Sequence, residues 1–213
     1  MPSRFSRIAV LHLCLAQAAL LLSGCHASTP ATPAVAANPK VPAGAKSSGG
    51  LHADIETDKG TVEIEFFPND CPKAVENFRL LAEHGYYDGL TFHRIVRGFM
   101  IQGGDPAGDG SGGESAWGGA FADEIRKDSP LYQAGYSRGI VAVANSGPDT
   151  NSSQFFIMLK DYPLPPSYVI FAKVTPGMEV VDALADTPTT AGSDGEASKP
   201  VTPPVMRKVT ILP

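Results

Sequence analysis

The sequence predicts a mostly β domain, antiparallel and either closed or sandwiched, carried behind an export segment and a linker. Short strand-like runs, rich in β-branched and aromatic residues, recur from Leu51 to Pro213. Only two stretches have the spacing of an amphipathic helix. The strands do not alternate with crossover helices, which argues against a Rossmann-like layout.

Arg4 and Arg7 precede an apolar run from Ile8 to Leu22, interrupted by His12 and Gln17. This is the pattern of a secretory signal, too short for a comfortable membrane span. The run ends in Leu22-Ser23-Gly24-Cys25, which resembles the lipobox of bacterial lipoproteins. The resemblance implies a signal peptide over 1–24 and a lipid on Cys25. Of the three cysteines, Cys14 then leaves with the signal peptide and Cys25 is consumed, so Cys71 remains alone and no internal disulfide is expected. Residues 25–50, mostly Ala, Pro, Ser, Thr and Gly, read as a flexible linker attached to the lipid. Its root-mean-square reach is about 25–30 Å.

The folded domain is expected over 51–213. LHADIETDKGTVEIEFF alternates apolar and polar residues around an Asp58-Lys59-Gly60 turn, the pattern of a hairpin with one dry face. PKAVENFRLLAEHG follows as a helix, with Pro72 in its first turn, Val75, Phe78, Leu81 and Ala82 on one face, and Gly85 at its end. Strands are expected over 91–96, 99–102, 139–143, 154–159 and 169–174. GMEVVDALAD reads as the second helix and VMRKVTIL as the last strand. The 104–120 and 187–204 stretches read as Gly- and Pro-rich loops.

A formal charge of −5 without a basic tract argues against a nucleic-acid partner. The chain lacks metal-ligand spacings of histidine or cysteine, and no Ser or Cys has a base beside it in a motif, so neither a metal nor a cofactor is expected. Gly108-x-Gly110-x-x-Gly113 matches a dinucleotide fingerprint, but a helix does not follow it, and Asp105, Asp109 and Glu114 would repel a pyrophosphate. Cys71, before the Pro72 helix start, reads as an inert thiol, and Trp117 as loop packing.

The candidate site is a set of apolar residues around one cation and several amides: Arg94, Phe99, Met100, Gln102, Ala144, Asn145, Gln154, Phe156, Leu164 and Tyr168. Such a set suits a reaction that breaks no bond. Rotation about an X–Pro peptide bond has a barrier of about 20 kcal/mol and takes tens to hundreds of seconds uncatalysed. Twisting localises the nitrogen lone pair, so a fixed donor aimed at it stabilises the transition state more than the planar amide. Arg94 is the expected donor, Gln102 its support, and Phe99, Met100, Phe156 and Leu164 the grip on the proline ring. Simple strand alternation places His93 on the face opposite Arg94, as a structural residue.

YDGLTFHRIVRGFMIQGGD, VANSGPDTNSSQFFI and VIFAKVTPGMEVVDAL resemble the cyclophilin family of peptidyl-prolyl isomerases, and the likeness spans nearly all of 51–213. It implies a closed eight-stranded antiparallel barrel capped by two helices, with the site on its outer surface. It also implies that Arg94 is catalytic with Gln102 beside it, that Phe99, Met100, Phe156 and Leu164 line the proline pocket, and that Ala144 and Asn145 meet an extended peptide with Gln154 behind them. The expected partners are proline-containing polypeptides, and a membrane through the N-terminal lipid. The expected state is a monomer, and the expected location is the outer membrane, facing the periplasm. LKDYPLPPSYVIF departs from the family: where many members have Trp before the position of Leu164, this chain has Pro163 or Tyr162, and Tyr168 stands where many have His. Weak inhibition by cyclosporin is expected in consequence. Two other readings stand beside the isomerase: a proline-peptide binding module or chaperone that uses the same groove with little turnover, and a surface-displayed interaction protein whose barrel is only a scaffold.

Overall fold

A computed structural model describes residues 40–192 and 195–213. The expected signal peptide, the expected lipid site Cys25 and the part of the expected linker before Lys40 lie outside the described residues. The elements are β1 (His52–Thr57), β2 (Gly60–Phe66), α1 (Pro72–Glu83), β3 (Thr91–Val96), β4 (Met100–Asp105), α2 (Pro130–Ala134) and β5 (Ile140–Val143). Then come β6 (Phe155–Met158), β7 (Ile170–Val174), α3 (Met178–Ala185), β8 (Thr189–Ala191), β9 (Ala197–Pro200) and β10 (Met206–Leu212).

Eight strands form one sheet in the order β10-β1-β2-β7-β5-β6-β4-β3, antiparallel throughout. The expected closed barrel is therefore corrected to an open, curled sheet. Its edge strands β3 and β10 share no ladder; an isolated bridge joins Thr91 to Val205, and the amide of Phe92 donates to the carbonyl of Pro204 at 2.9 Å. Pro203 and Pro204 lack the amide hydrogens that would extend β10 along β3 as a regular ladder.

Both long helices form where the apolar spacing puts them. Pro72 starts α1, and Val75, Phe78, Leu81 and Ala82 are buried. Phe78 meets Phe66, Tyr87, Phe155 and Phe171 with ring centroids 4.8–5.7 Å apart, which places α1 over the concave face of the sheet. The third helix, α2, lies in a stretch without apolar periodicity and is five residues long, begun by the Ser129 side chain and Pro130 and ended at Gly135, whose φ is +72°. The β8–β9 hairpin occupies the stretch expected to be loop and packs against β3.

The sheet is apolar on both faces where the site lies. Phe155 and Ile157 of β6, Val141 and Val143 of β5 and Ile101 of β4 point into the main core. Their neighbours Phe156, Met158, Ile140, Ala142 and Met100 point the other way, into a second cluster with Tyr136 and Ile170. The contiguous runs IVAV and FFIM encode this, because a strand buried on both sides needs no alternation.

The described end of the expected linker also belongs to the folded unit. Val41 and Ala45 pack against the core, the amide and hydroxyl of Ser47 donate to the Glu76 carboxylate at 3.0 and 2.5 Å, and the amide of Ser48 donates to Glu83 at 2.7 Å. Residues from Val41 onward thus form a strap along α1, where the sequence suggested free chain up to residue 50.

Candidate active site

The site is built on the convex, second apolar face. β3 and β4 pair Arg94 with Gln102 and Val96 with Met100, and β4 pairs Gln102 with Phe156 on β6. Ladder register alone therefore sets the arginine, the amide and the phenylalanine in a row across three strands. Phe99 lies in the β3–β4 turn, beyond the Val96–Met100 pair. Ala144 and Asn145 follow β5, and the amide of Ala144 donates to the carbonyl of Gln154 at 2.9 Å. Leu164 and Tyr168 close the far side from the loop before β7.

These residues enclose a pocket of about 190 Å³. Its lining comprises Arg94, Phe99, Met100 and Gln102 from the hairpin, Phe156 from β6, Ala144 and Asn145, and Leu164 and Tyr168. Gln154 is the one expected residue set outside it. The Nε2 of Gln102 donates to the Gln154 Oε1 at 2.9 Å, and the Gln154 Nε2 donates to the carbonyls of Gly110 and Gly112 at 3.1 and 2.7 Å. The Gln102 amide is therefore oriented from behind, through Gln154, by the glycine-rich loop. Tyr168 stands edge-on to Phe156 at 5.3 Å, and the Nδ2 of Asn145 donates to the carbonyl of Ser167 at 2.8 Å.

The same loop disposes of the dinucleotide fingerprint. The Asp105 carboxylate accepts from the amides of Ala107, Asp109 and Gly110 at 2.9, 3.1 and 2.6 Å. The backbone donors that a phosphate would need are already held by an internal anion. Gly104, with φ of +83°, lets the strand pass Ser153, whose carbonyl oxygen would lie 2.5 Å from an added Cβ.

One feature corrects the sequence reading, one decides an alternative it left open, and one lay beyond it. The β3–β4 register shifts between Phe92 and Arg94, a bulge at His93. His93 thus does not face away from Arg94: both line the depression between the glycine-rich loop and β9, while Phe92 and Ile95 remain in the core. His93 is buried, and burial lowers its pKa against the opposing pull of Asp105 and Asp109, with a smaller lowering from Arg94. Tyr162, and not Pro163, supplies the aromatic rim, its ring 4.6 Å from that of Phe99. The third is a pair of tyrosines, Tyr132 and Tyr136, bonded to the backbone of Tyr168.

Of the other singled-out residues, Cys71 is buried, its thiol donating to the carbonyls of Phe67 and Ile170 at 3.4 and 3.2 Å, and burial pushes its pKa far above the ordinary range. Trp117 is half exposed and packs edge-on against Phe121. Among the described residues no His, Cys, Asp or Glu cluster could hold a metal.

A small apolar pocket with an arginine at its edge, on a curled antiparallel sheet, can take up an apolar ring and present a donor to it. Residues 52–211 match the family described as cyclophilin type peptidyl-prolyl cis-trans isomerase/CLD. The chain is 47% identical over 162 residues to a peptidyl-prolyl cis-trans isomerase of Arabidopsis thaliana, covering 76% of this chain and 96% of that protein. It is 42% identical over 168 residues to peptidyl-prolyl cis-trans isomerase 9 of Schizosaccharomyces pombe, a longer protein of which 25% is covered. A cyclophilin type peptidyl-prolyl cis-trans isomerase of Cryptosporidium parvum superposes with a TM-score of 0.69 at 38% identity, covering 77% of this chain and 98% of that one. The same Cryptosporidium protein has also been solved in the presence of the dipeptide Ala-Pro. The chain belongs to the cyclophilin-type family and is a peptidyl-prolyl cis-trans isomerase.

Proposed function

We propose that the pocket holds the proline ring of an X–Pro segment and that Arg94 donates to the proline nitrogen as the amide twists. The observation that carries this reading is the placement of Arg94 beside Gln102 at the edge of a pocket walled by Phe99, Met100, Phe156 and Leu164. The apolar walls take up the ring and exclude water, which strengthens the donor's effect. Ala144 and Asn145 offer backbone to the extended peptide. Removing the donor then acts on the transition state alone. Arg94→Ala should lower kcat/KM on a short X–Pro peptide at least ~100-fold, equivalent to about 2.7 kcal/mol. Peptide affinity should change far less; near-normal turnover by this variant would defeat the donor role. A binding module or chaperone with little turnover would instead show peptide binding with wild-type rates scarcely above the uncatalysed one.

We further propose that the enzyme works on exported polypeptides as a lipid-anchored monomer, on the periplasmic side of an outer membrane. The support is sequence alone: the n-region and h-region before Leu22-Ser23-Gly24-Cys25, and His26 after the cysteine. Stable anchoring needs two or more acyl chains. Mass spectrometry of the mature N-terminus is the test, and an unmodified N-terminus at another residue would overturn the anchor.

A further inference from the structure

We propose that Tyr132 and Tyr136 are positioning residues that hold the Leu164–Tyr168 wall in the geometry that binds proline, an inference that rests on the pocket reading above. The wall has little structure of its own. Pro163, Pro165 and Pro166 carry no amide hydrogen, and the loop's internal bonds are two tight turns: Leu164 donating to Tyr162, and Ser167 to Pro165, each at 2.8 Å. Prolines stiffen such a loop but do not fix where it stands relative to β6.

Both ends of the loop are fixed from one neighbouring segment. At the near end, the amide of Tyr162 donates to the carbonyl of Tyr136 at 3.0 Å. At the far end, the Tyr136 hydroxyl donates to the carbonyl of Tyr168 at 2.9 Å and accepts from the Tyr168 amide at 3.1 Å. The Tyr132 hydroxyl donates to the same carbonyl at 3.2 Å and accepts from the amide of Ile170 at 3.1 Å. Each hydroxyl therefore donates once and accepts once, and both lone pairs of the Tyr168 carbonyl are used. The Tyr136 ring also meets that of Tyr168 edge-on at 6.2 Å. Burial raises the pKa of both phenols, so they remain donors at any working pH. Neither ring lines the pocket; their effect passes through Tyr168, whose ring abuts Phe156.

Tyr132→Phe and Tyr136→Phe keep the rings and delete one hydroxyl each, so the fold should survive. On an X–Pro peptide, each variant should raise KM about three- to tenfold while leaving kcat within about twofold, because the Arg94 side of the pocket is untouched. The double variant should raise KM further, and the methyl resonances of Leu164 should broaden as the loop samples other positions. An unchanged KM in the double variant overturns the proposal. So does a fall in kcat at constant KM that tracks the unfolded fraction, since that is what a purely structural role gives. Arg94→Ala in the same assay separates the two readings: full turnover there sinks the pocket reading, whereas lost turnover there with unchanged tyrosine variants sinks only the clamp.

Discussion

At the scale of the residue, the arginine and the histidine beside it divide the work by their surroundings. In the proposed donor role Arg94 has to stay charged and aimed, which a guanidinium can do because some of its N–H groups anchor while another acts. Arg94→Lys should therefore lose nearly as much kcat/KM as Arg94→Ala, and a lysine variant with near-wild-type rates would show that charge alone suffices. His93 is accommodated neutral. Its folded pKa lies below the ordinary 6.5, so it contributes stability fully above that value and loses it as pH falls through the folded value. Unfolding in denaturant at pH 7.5 and pH 5 should show His93→Gln losing less stability on acidification than the parent; equal losses would remove His93 as a source of acid sensitivity. The juxtaposition around Arg94 was legible because FHRIVRGFMIQ puts both strands of a hairpin within one short stretch. The place of His93 was not, because alternation predicts a side chain's face only where the ladder is regular, and the bulge breaks it there.

At the scale of the element, the strands with long apolar runs and the helices with clear periodicity were legible, and the elements held by tertiary contacts were not. α2 is too short to be stable alone, and β8 and β9 have three and four residues with exposed positions, so neither leaves a periodic trace. The rim loop shows the same limit: its sequence puts Pro163 first, with Tyr162 only if the gap moves, and the seat of Tyr162 on Phe99 decides for the tyrosine. A phenol there offers a smaller wall than an indole and a donor in a different place. Weak inhibition by cyclosporin follows, with Tyr162→Trp expected to tighten it about 5- to 150-fold, the equivalent of roughly 1–3 kcal/mol. Peptide turnover should change little, because Tyr162 does not line the pocket proposed to hold the proline; tight inhibition of the unaltered protein would refute this account of the rim.

At the scale of the whole molecule, the strap over 41–50 belongs to the folded domain without touching the pocket. It lies on α1, which packs on the concave face, whereas the pocket occupies the convex one. Its bonds end at Gly50, which is buried so tightly that an added Cβ would fall 2.0 Å from the Leu212 carbonyl oxygen. Stability and catalysis should therefore respond separately to changes here. Gly50→Ala should cost about 1–3 kcal/mol by overpacking. Glu76→Ala, which strands both Ser47 donors, should cost about 1–2 kcal/mol at this partly exposed site. Each kcal/mol corresponds to about 2–4 °C in Tm for a domain of this size. A fragment of residues 40–213 should then melt with the full chain, and one of 51–213 several degrees lower, both isomerising an X–Pro peptide at the parental kcat/KM below their transitions. Equal melting of the two fragments would return 41–50 to the status of free linker. A loss of kcat/KM in the shorter fragment well below its melting point would mean that the strap reaches the pocket through the sheet. If Cys25 carries the proposed lipid, Cys25→Ser should release a soluble enzyme whose rate constants match those of the lipidated one, because the strap contacts lie away from the pocket; a membrane-bound Cys25→Ser variant would overturn the anchor.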